Sequence, residues 1–167
     1  PRTDPERIAS ALAAAPAGIA AVATVVTVEG GGHARVLRRG SGAFTCFPDD
    51  PATAGHDPVC ADAGGLAWAE AWRTRSIPHP TRAGVVYMLA GGPELTSPAS
   101  RLPCHEAASS PAPAAPHLML VGLTALPEQP GASASAHPFV MGAGTPYAHL
   151  MVPVALPLDP TGGSSPS

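Results

Sequence analysis

Proline and glycine account for close to a quarter of this chain, 22 and 18 of its 167 residues, and that limits what it can build. Proline lacks a backbone donor and interrupts helices and inner strands, while glycine weakens both. Regular elements must therefore be short and joined by long loops. Wholesale disorder does not follow, because hydrophobic residues still reach 45% and cluster at Val22 to Val28, Gly84 to Leu89 and His117 to Val121. Much of that apolar content is alanine and aromatics are only 4%, so the expected core is small. The length suits one globular domain over 1–158, followed by a flexible tail over 159–167 that ends Thr-Gly-Gly-Ser-Ser-Pro-Ser.

Asp4 and Pro5 read as a helix start, with Ile8, Leu12 and Ala15 on one face and Pro16 with Gly18 as the stop. The β-branched run Val22 to Val28 predicts a strand. Glu29-Gly30-Gly31-Gly32 then turns it back as His33 to Arg38, and Ala43 to Phe47 completes an antiparallel meander. Asp62 predicts the cap of a second helix that buries Leu66, Ala69 and Trp72, with Gly64 and Gly65 weakening its first turn. Further strands are expected over Gly84 to Leu89, His117 to Val121, Phe139 to Met141 and Tyr147 to Val154, and Pro93 to Pro116 reads as a surface loop. Strands outnumber helices without a βαβ rhythm. The expected class is α+β, a mainly antiparallel sheet with two short helices and long Pro/Gly-rich loops.

Nine basic residues, all arginine, oppose twelve acidic ones for a net charge of -3. Without lysine, Schiff-base chemistry on a side-chain amine is excluded. Arg35, Arg38 and Arg39 are the only tight basic group, so nucleic acid is not an expected partner. No integral membrane segment is expected either. The nearest apolar stretch, Ile8 to Val28, contains Ser10, Pro16, Gly18 and two threonines and has no leucine-rich centre behind a basic start. A chain that starts at Pro1 fits a processed mature protein or a piece trimmed from a longer one. Oligomeric state is not encoded.

Cys46 and Cys60 flank a Pro/Asp-rich loop with little apolar means of holding itself. A disulfide between them would stabilise it, the alternative being two reduced, buried small hydrophobes. Cys104 is left over, within Leu102-Pro103-Cys104-His105-Glu106. A free surface thiol, intermolecular pairing, metal contact and a Cys-His nucleophile all stay open there. Asp49, Asp50 and Asp57 either satisfy turn amides or support water activation or a cation.

The most informative motif is a repeated tripeptide, His117-Leu118-Met119 and His149-Leu150-Met151. Residues two apart in a strand share a face, so His117 joins Met119, and Tyr147 and His149 join Met151. If the two strands pair, imidazole and thioether donors converge, a combination that favours copper, Cu(I) above all, over hard oxygen-seeking ions. Zinc through His117, His149 and an acid is a weaker variant, lacking the usual spacings. The same residues also suit a packed core, since methionine fills irregular gaps. A third reading is acid-base chemistry, with His117 or His149 moving a proton and Tyr147 donating to developing negative charge. Gly142-Ala143-Gly144-Thr145-Pro146 is a tight approach that can hold Tyr147 beside His149; it lacks the lysine and spacing of a phosphate loop.

Taken in order, Glu6-Arg7-Ile8-Ala9, Thr45-Cys46-Phe47-Pro48-Asp49, Asp57-Pro58-Val59-Cys60, Trp68-Ala69-Glu70-Ala71-Trp72, Tyr87-Met88-Leu89, Pro116-His117-Leu118-Met119 and Gly144-Thr145-Pro146-Tyr147-Ala148-His149-Leu150-Met151 form a pattern. It resembles an uncharacterised family of small exported bacterial proteins. The chain departs from that pattern at Gly42-Ala43-Phe44, where a Trp is expected before Thr45-Cys46, and in the Ala/Ser/Pro filler before Pro116. The resemblance implies export to the periplasm or beyond, raises His117, Tyr147 and His149 above the loop histidines, and transfers no reaction. The expectation is an exported small binding protein for a metal ion or small ligand, with copper held by His117, Met119, His149 and Met151. The alternative is a small metal-independent enzyme using His117, Tyr147 and His149.

Overall fold

A computed structural model of the chain describes residues 2–30, 32–52, 56–78, 82–94, 113–127 and 137–154. The helices are α1 (Asp4–Leu12), α2 (Ala17–Val22) and α3 (Ala63–Thr74). The strands are β1 (Thr24–Glu29), β2 (His33–Arg38), β3 (Thr45–Phe47), β4 (Val59–Ala61), β5 (Gly84–Met88), β6 (Gly92–Glu94), β7 (Pro113–Ala114), β8 (His117–Val121), β9 (Phe139–Met141) and β10 (His149–Pro153). Eight strands form one sheet in the order β2-β1-β3-β4-β5-β8-β10-β9, and β6 pairs with β7 separately. The α+β class is as expected. The expected tail over 159–167 lies outside the described residues.

Four local differences have physical causes. α1 ends at Leu12, before the expected stop, and Pro16 instead opens α2, which contains Gly18; the Pro16 carbonyl accepts from the Ile19 and Ala20 amides at 2.9 Å, so Val22 is helical and β1 starts at Thr24. β3 does not extend a meander. The chain leaves β2, passes the start of β1 where the Gly42 amide donates to the Val22 carbonyl at 2.8 Å, and enters parallel to β1 with Thr24 opposite Thr45. A Cβ on Gly40 would stand 2.2 Å from that Val22 oxygen, so this crossing needs glycine. Third, β4 forms over Val59–Ala61, a stretch for which no element is expected. Fourth, Asp62 caps α3 as expected, accepting from the Gly65 amide at 2.8 Å, but the helix is rotated. It buries Gly64, Gly65, Trp68 and Ala71 and leaves Ala69 exposed. The cause is a glycine-on-glycine contact: a Cβ on Gly84 would lie 2.0 Å from the Gly65 nitrogen. The two glycines expected to weaken the helix are its docking surface.

The sheet carries a core on each face. On one, Ala11, Ala14 and Ala15 cover Val25, Cys46 and Cys60, with Phe44 and Tyr87 at the side. Cys46 and Cys60 are directly opposed on β3 and β4 and joined by a disulfide with Cα atoms 4.0 Å apart. Arg35 of β2 ties α1 down by a two-point ion pair with Asp4, at 2.8 and 2.9 Å, and Arg38 donates to the Ala20 and Ala23 carbonyls. On the other face α3 lays Trp68 over Val86, Met119, Val121 and Met151.

Candidate functional site

β8 and β10 are antiparallel neighbours, with Met151 opposite Met119, Leu150 opposite Leu120 and Pro153 opposite His117. The repeated tripeptide is thus laid against itself in opposite directions, about a local two-fold axis through the Met119/Met151 pair. Alternation along the strands buries His117, Met119 and Val121 of β8 and His149 and Met151 of β10 on the face that carries α3; each histidine shares a side with its methionine, as strand parity predicts. The flanking strands add one methionine each. Met88 of β5 stands opposite His117, and Met141 of β9 stands opposite His149. All four methionines of the chain therefore share one sheet face with two histidines.

His149 is 2% exposed and His117 5%. Each ring places Nδ1 on the carbonyl oxygen two residues earlier, His117 on Ala115 at 2.7 Å and His149 on Tyr147 at 2.8 Å. A carbonyl only accepts, so Nδ1 carries the hydrogen and the neutral ring keeps its lone pair on Nε2. Burial pushes the His117 pKa down, partly offset by the Ala115 carbonyl. Burial does the same to His149, offset by the Tyr147 carbonyl and reinforced by nearby His117. Both imidazoles are neutral at pH 7 and offer a basic Nε2.

Trp68 reaches from α3 and meets the His149 ring edge-on, with centroids 4.9 Å apart. Its Nε1 is the one fully buried side-chain nitrogen or oxygen without a hydrogen-bond partner among the described residues. Tyr147 sits in the turn before β10, where Gly142 and Gly144 adopt left-handed backbone at φ 68° and 77° and Thr145 Oγ1 donates to the Gly142 carbonyl at 2.7 Å. The turn sets the Tyr147 ring edge-on to Trp68, ring centroids 6.5 Å apart. Its hydroxyl, however, donates to the Ser76 carbonyl at 2.9 Å and fastens the turn to the end of α3. His117 lies on the far side of the methionine pair, so the three groups of the acid-base reading are not gathered around one point.

Among the described residues no group of three or more His, Cys, Asp or Glu is placed to hold a metal ion, so the zinc variant with an added acid does not form there. The donors this face supplies are thioethers and imidazoles. His33 and His137 are exposed, and His56 lies 3.4 Å from Asp49. His79, His105 and Cys104 fall outside the described residues. The loop acids serve turn amides: Asp49 accepts from Asp57 at 2.8 Å, Asp57 from Asp50 at 3.2 Å and Asp50 from Ala52 at 2.9 Å. Burial raises the Asp49 pKa, but the Asp57 amide and the Arg2 guanidinium outweigh it and leave the carboxyl below its usual range.

Sequence reasoning put Met88 and Met141 on expected strands without linking them to the histidines, and gave Trp68 no role. The strand parity of Gly84, Val86 and Met88 was available in the sequence. The order of strands that sets β5 and β9 beside the histidine strands was not. No helix among the described residues is long and apolar enough to cross a membrane. No protein-family model, no curated protein and no solved structure matches the chain.

Proposed function

We propose that the protein is an exported binding protein that carries Cu(I) on the α3 face of β8 and β10, with His117, Met119, His149 and Met151 supplying the donors. The observation that carries this reading is the register: Met119 opposes Met151 on a buried face, with a histidine two residues away on either side. Thioether sulfur is a soft donor and favours a soft, low-charge ion over Mg, Ca or Zn. The histidines suit the role because each Nδ1 hydrogen bond fixes the tautomer that leaves Nε2 free to ligate, a common outer-shell arrangement for metal-bound imidazole. Their lowered pKa values mean that little proton displacement is needed at neutral pH. The Cys46–Cys60 disulfide supports an oxidising compartment.

Anaerobic Cu(I) titration against a chromophoric chelator tests the reading. The native protein should compete for the ion, and the Met119→Leu/Met151→Leu variant should bind at least 10-fold more weakly while keeping its circular dichroism spectrum. Joint His117→Gln/His149→Gln replacement should weaken binding as well. Binding unchanged in both variants would reject the site, and no binding by the native protein would reject the function.

A further inference from the structure

The two-fold arrangement of the repeat has a consequence for how many ions the face accommodates. We infer that it holds two Cu(I) ions in separate half-sites, one formed by His117, Met88 and Met119 and the other by His149, Met141 and Met151. This rests on the Cu(I) reading above and goes further by assigning Met88 and Met141, and by fixing the stoichiometry.

The partition follows from the register. Pro153 opposes His117 and Met151 opposes Met119, so His149 lies level with Val121, four residues along from His117, on the adjacent strand. At ~3.4 Å per residue their backbone positions are roughly 14 Å apart along the strand direction, and the strands add about 4.8 Å across. In backbone position each histidine is therefore nearer to its own methionines than to the other histidine. The carbonyls that take their Nδ1 hydrogens, Ala115 and Tyr147, precede each histidine on the side away from the methionine pair.

Each half-site is compact by comparison. His117 has Met88 directly across, and directly opposed side chains in an antiparallel pair have Cβ atoms about 5 Å apart. Met119, two residues along the same strand, shares the face. The other half-site repeats the pattern, with Met141 across from His149 and Met151 two residues along. With Nδ1 of each ring engaged by its own strand, Nε2 is the nitrogen available to a ligand, and the register groups each imidazole with two thioethers.

The half-sites differ in their surroundings, which makes them distinguishable. Trp68 stands against His149 at 4.9 Å between ring centroids, with its Nε1 buried and unpartnered. An aromatic face also attracts a cation. An ion at the His149 half-site therefore perturbs tryptophan emission, while one at the His117 half-site does so much less.

Native mass spectrometry of the whole chain titrated anaerobically with Cu(I), with tryptophan fluorescence followed in parallel, tests the assignment. Two ions per chain are expected. Met141→Leu should leave one ion and abolish the fluorescence change, and Met88→Leu should leave one ion and retain it. Both substitutions preserve volume, so a folded protein is expected. A native stoichiometry of one, or two ions in both variants, overturns this inference. A single ion lost on Met119→Leu/Met151→Leu replacement would leave the Cu(I) function standing, whereas no ion at all would remove both.

Discussion

The Cys46–Cys60 cross-link closes a segment with a sequence separation of 14 at the middle of the sheet, where β3 and β4 are only three residues long. Short strands cannot hold a Pro/Asp-rich loop through backbone pairing alone, so the bridge sets the register Cys46 opposite Cys60. In the chain-entropy account a closed loop of this length restricts the unfolded ensemble by about 10 cal/mol/K, which is about 3 kcal/mol at 25 °C. With a urea m-value of roughly 2–3 kcal/mol/M for a chain of this size, the unfolding midpoint of the reduced protein falls by about 1–1.5 M. A Cys46→Ala/Cys60→Ala variant should lose somewhat more, because both sulfurs are fully buried beneath Ala11, Ala14 and Ala15 and truncation leaves space under α1. That cover also predicts slow reduction under native conditions, accelerating in step with added denaturant. With three cysteines in the chain and two in the bridge, intact mass after alkylation should show one labelled thiol before reduction and three after reduction in denaturant. A reduced protein within about 1 kcal/mol of the oxidised one at an unchanged m-value would refute the argument that the bridge holds this loop.

Gly84→Ala should lift α3 from the sheet, because its Cβ would meet the Gly65 nitrogen at 2.0 Å and the Gly64 carbonyl carbon at 2.3 Å. A loss of about 3 kcal/mol and a weakened near-ultraviolet signal from Trp68 are expected, and near-native stability would refute the close approach. Tyr147→Phe removes the hydrogen bond to the Ser76 carbonyl and should cost about 1 kcal/mol by urea unfolding. A loss below about 0.3 kcal/mol would show that the hydroxyl is no strut. In the metal-free protein the folded pKa values of His117 and His149 lie below the ordinary histidine value of 6.5, so below pH 6.5 the unfolded chain takes up protons that the folded one does not. Stability should fall with decreasing pH from about 6.5 toward the folded pKa values, at up to about 1.4 kcal/mol per pH unit for each histidine. His117→Gln/His149→Gln should flatten that limb, and a native protein equally stable at pH 6.5 and 5 would contradict the burial of these rings. Asp49, whose pKa is lowered from 3.8, gives a separate loss only as the pH falls below about 4.

Local chemistry was legible where one residue type decides a local conformation. Asp62 had to cap a helix, the β-branched run after Val22 had to extend, and strand parity put His117 with Met119 and His149 with Met151. What escaped was set by contacts between segments distant in sequence. The rotation of α3 follows from Gly64 and Gly65 meeting Gly84, and the helical pattern alone placed Ala69 inside. β4 consists of Val59, Cys60 and Ala61 between Pro58 and Asp62, too short to show alternation. The parallel entry of β3 depends on a chain crossing at Val22, which no pattern within Ala43 to Phe47 records. For the same reason the partners of the histidines stayed hidden, since Met88 and Met141 come beside them only through the strand order β5-β8-β10-β9.

The distribution of side chains between the two faces bears on whether the methionines are mere filling. A chain poor in large aliphatic and aromatic side chains needs filler on both sides of its sheet, and methionine serves anywhere because its thioether stem adapts to irregular gaps. The α1 face is nevertheless closed with alanine, Val25 and the disulfide, flanked by Ile8, Leu12, Phe44 and Tyr87. All four methionines lie on the other face, and two of them oppose histidines directly. Filling alone does not call for imidazoles in that position, where the strand's own carbonyl engages only Nδ1 of each ring. A soft ion would give each Nε2 a partner and the sulfurs beside it a role beyond volume. The Met→Leu substitutions separate the two roles, since leucine occupies nearly the same space but has no lone pair.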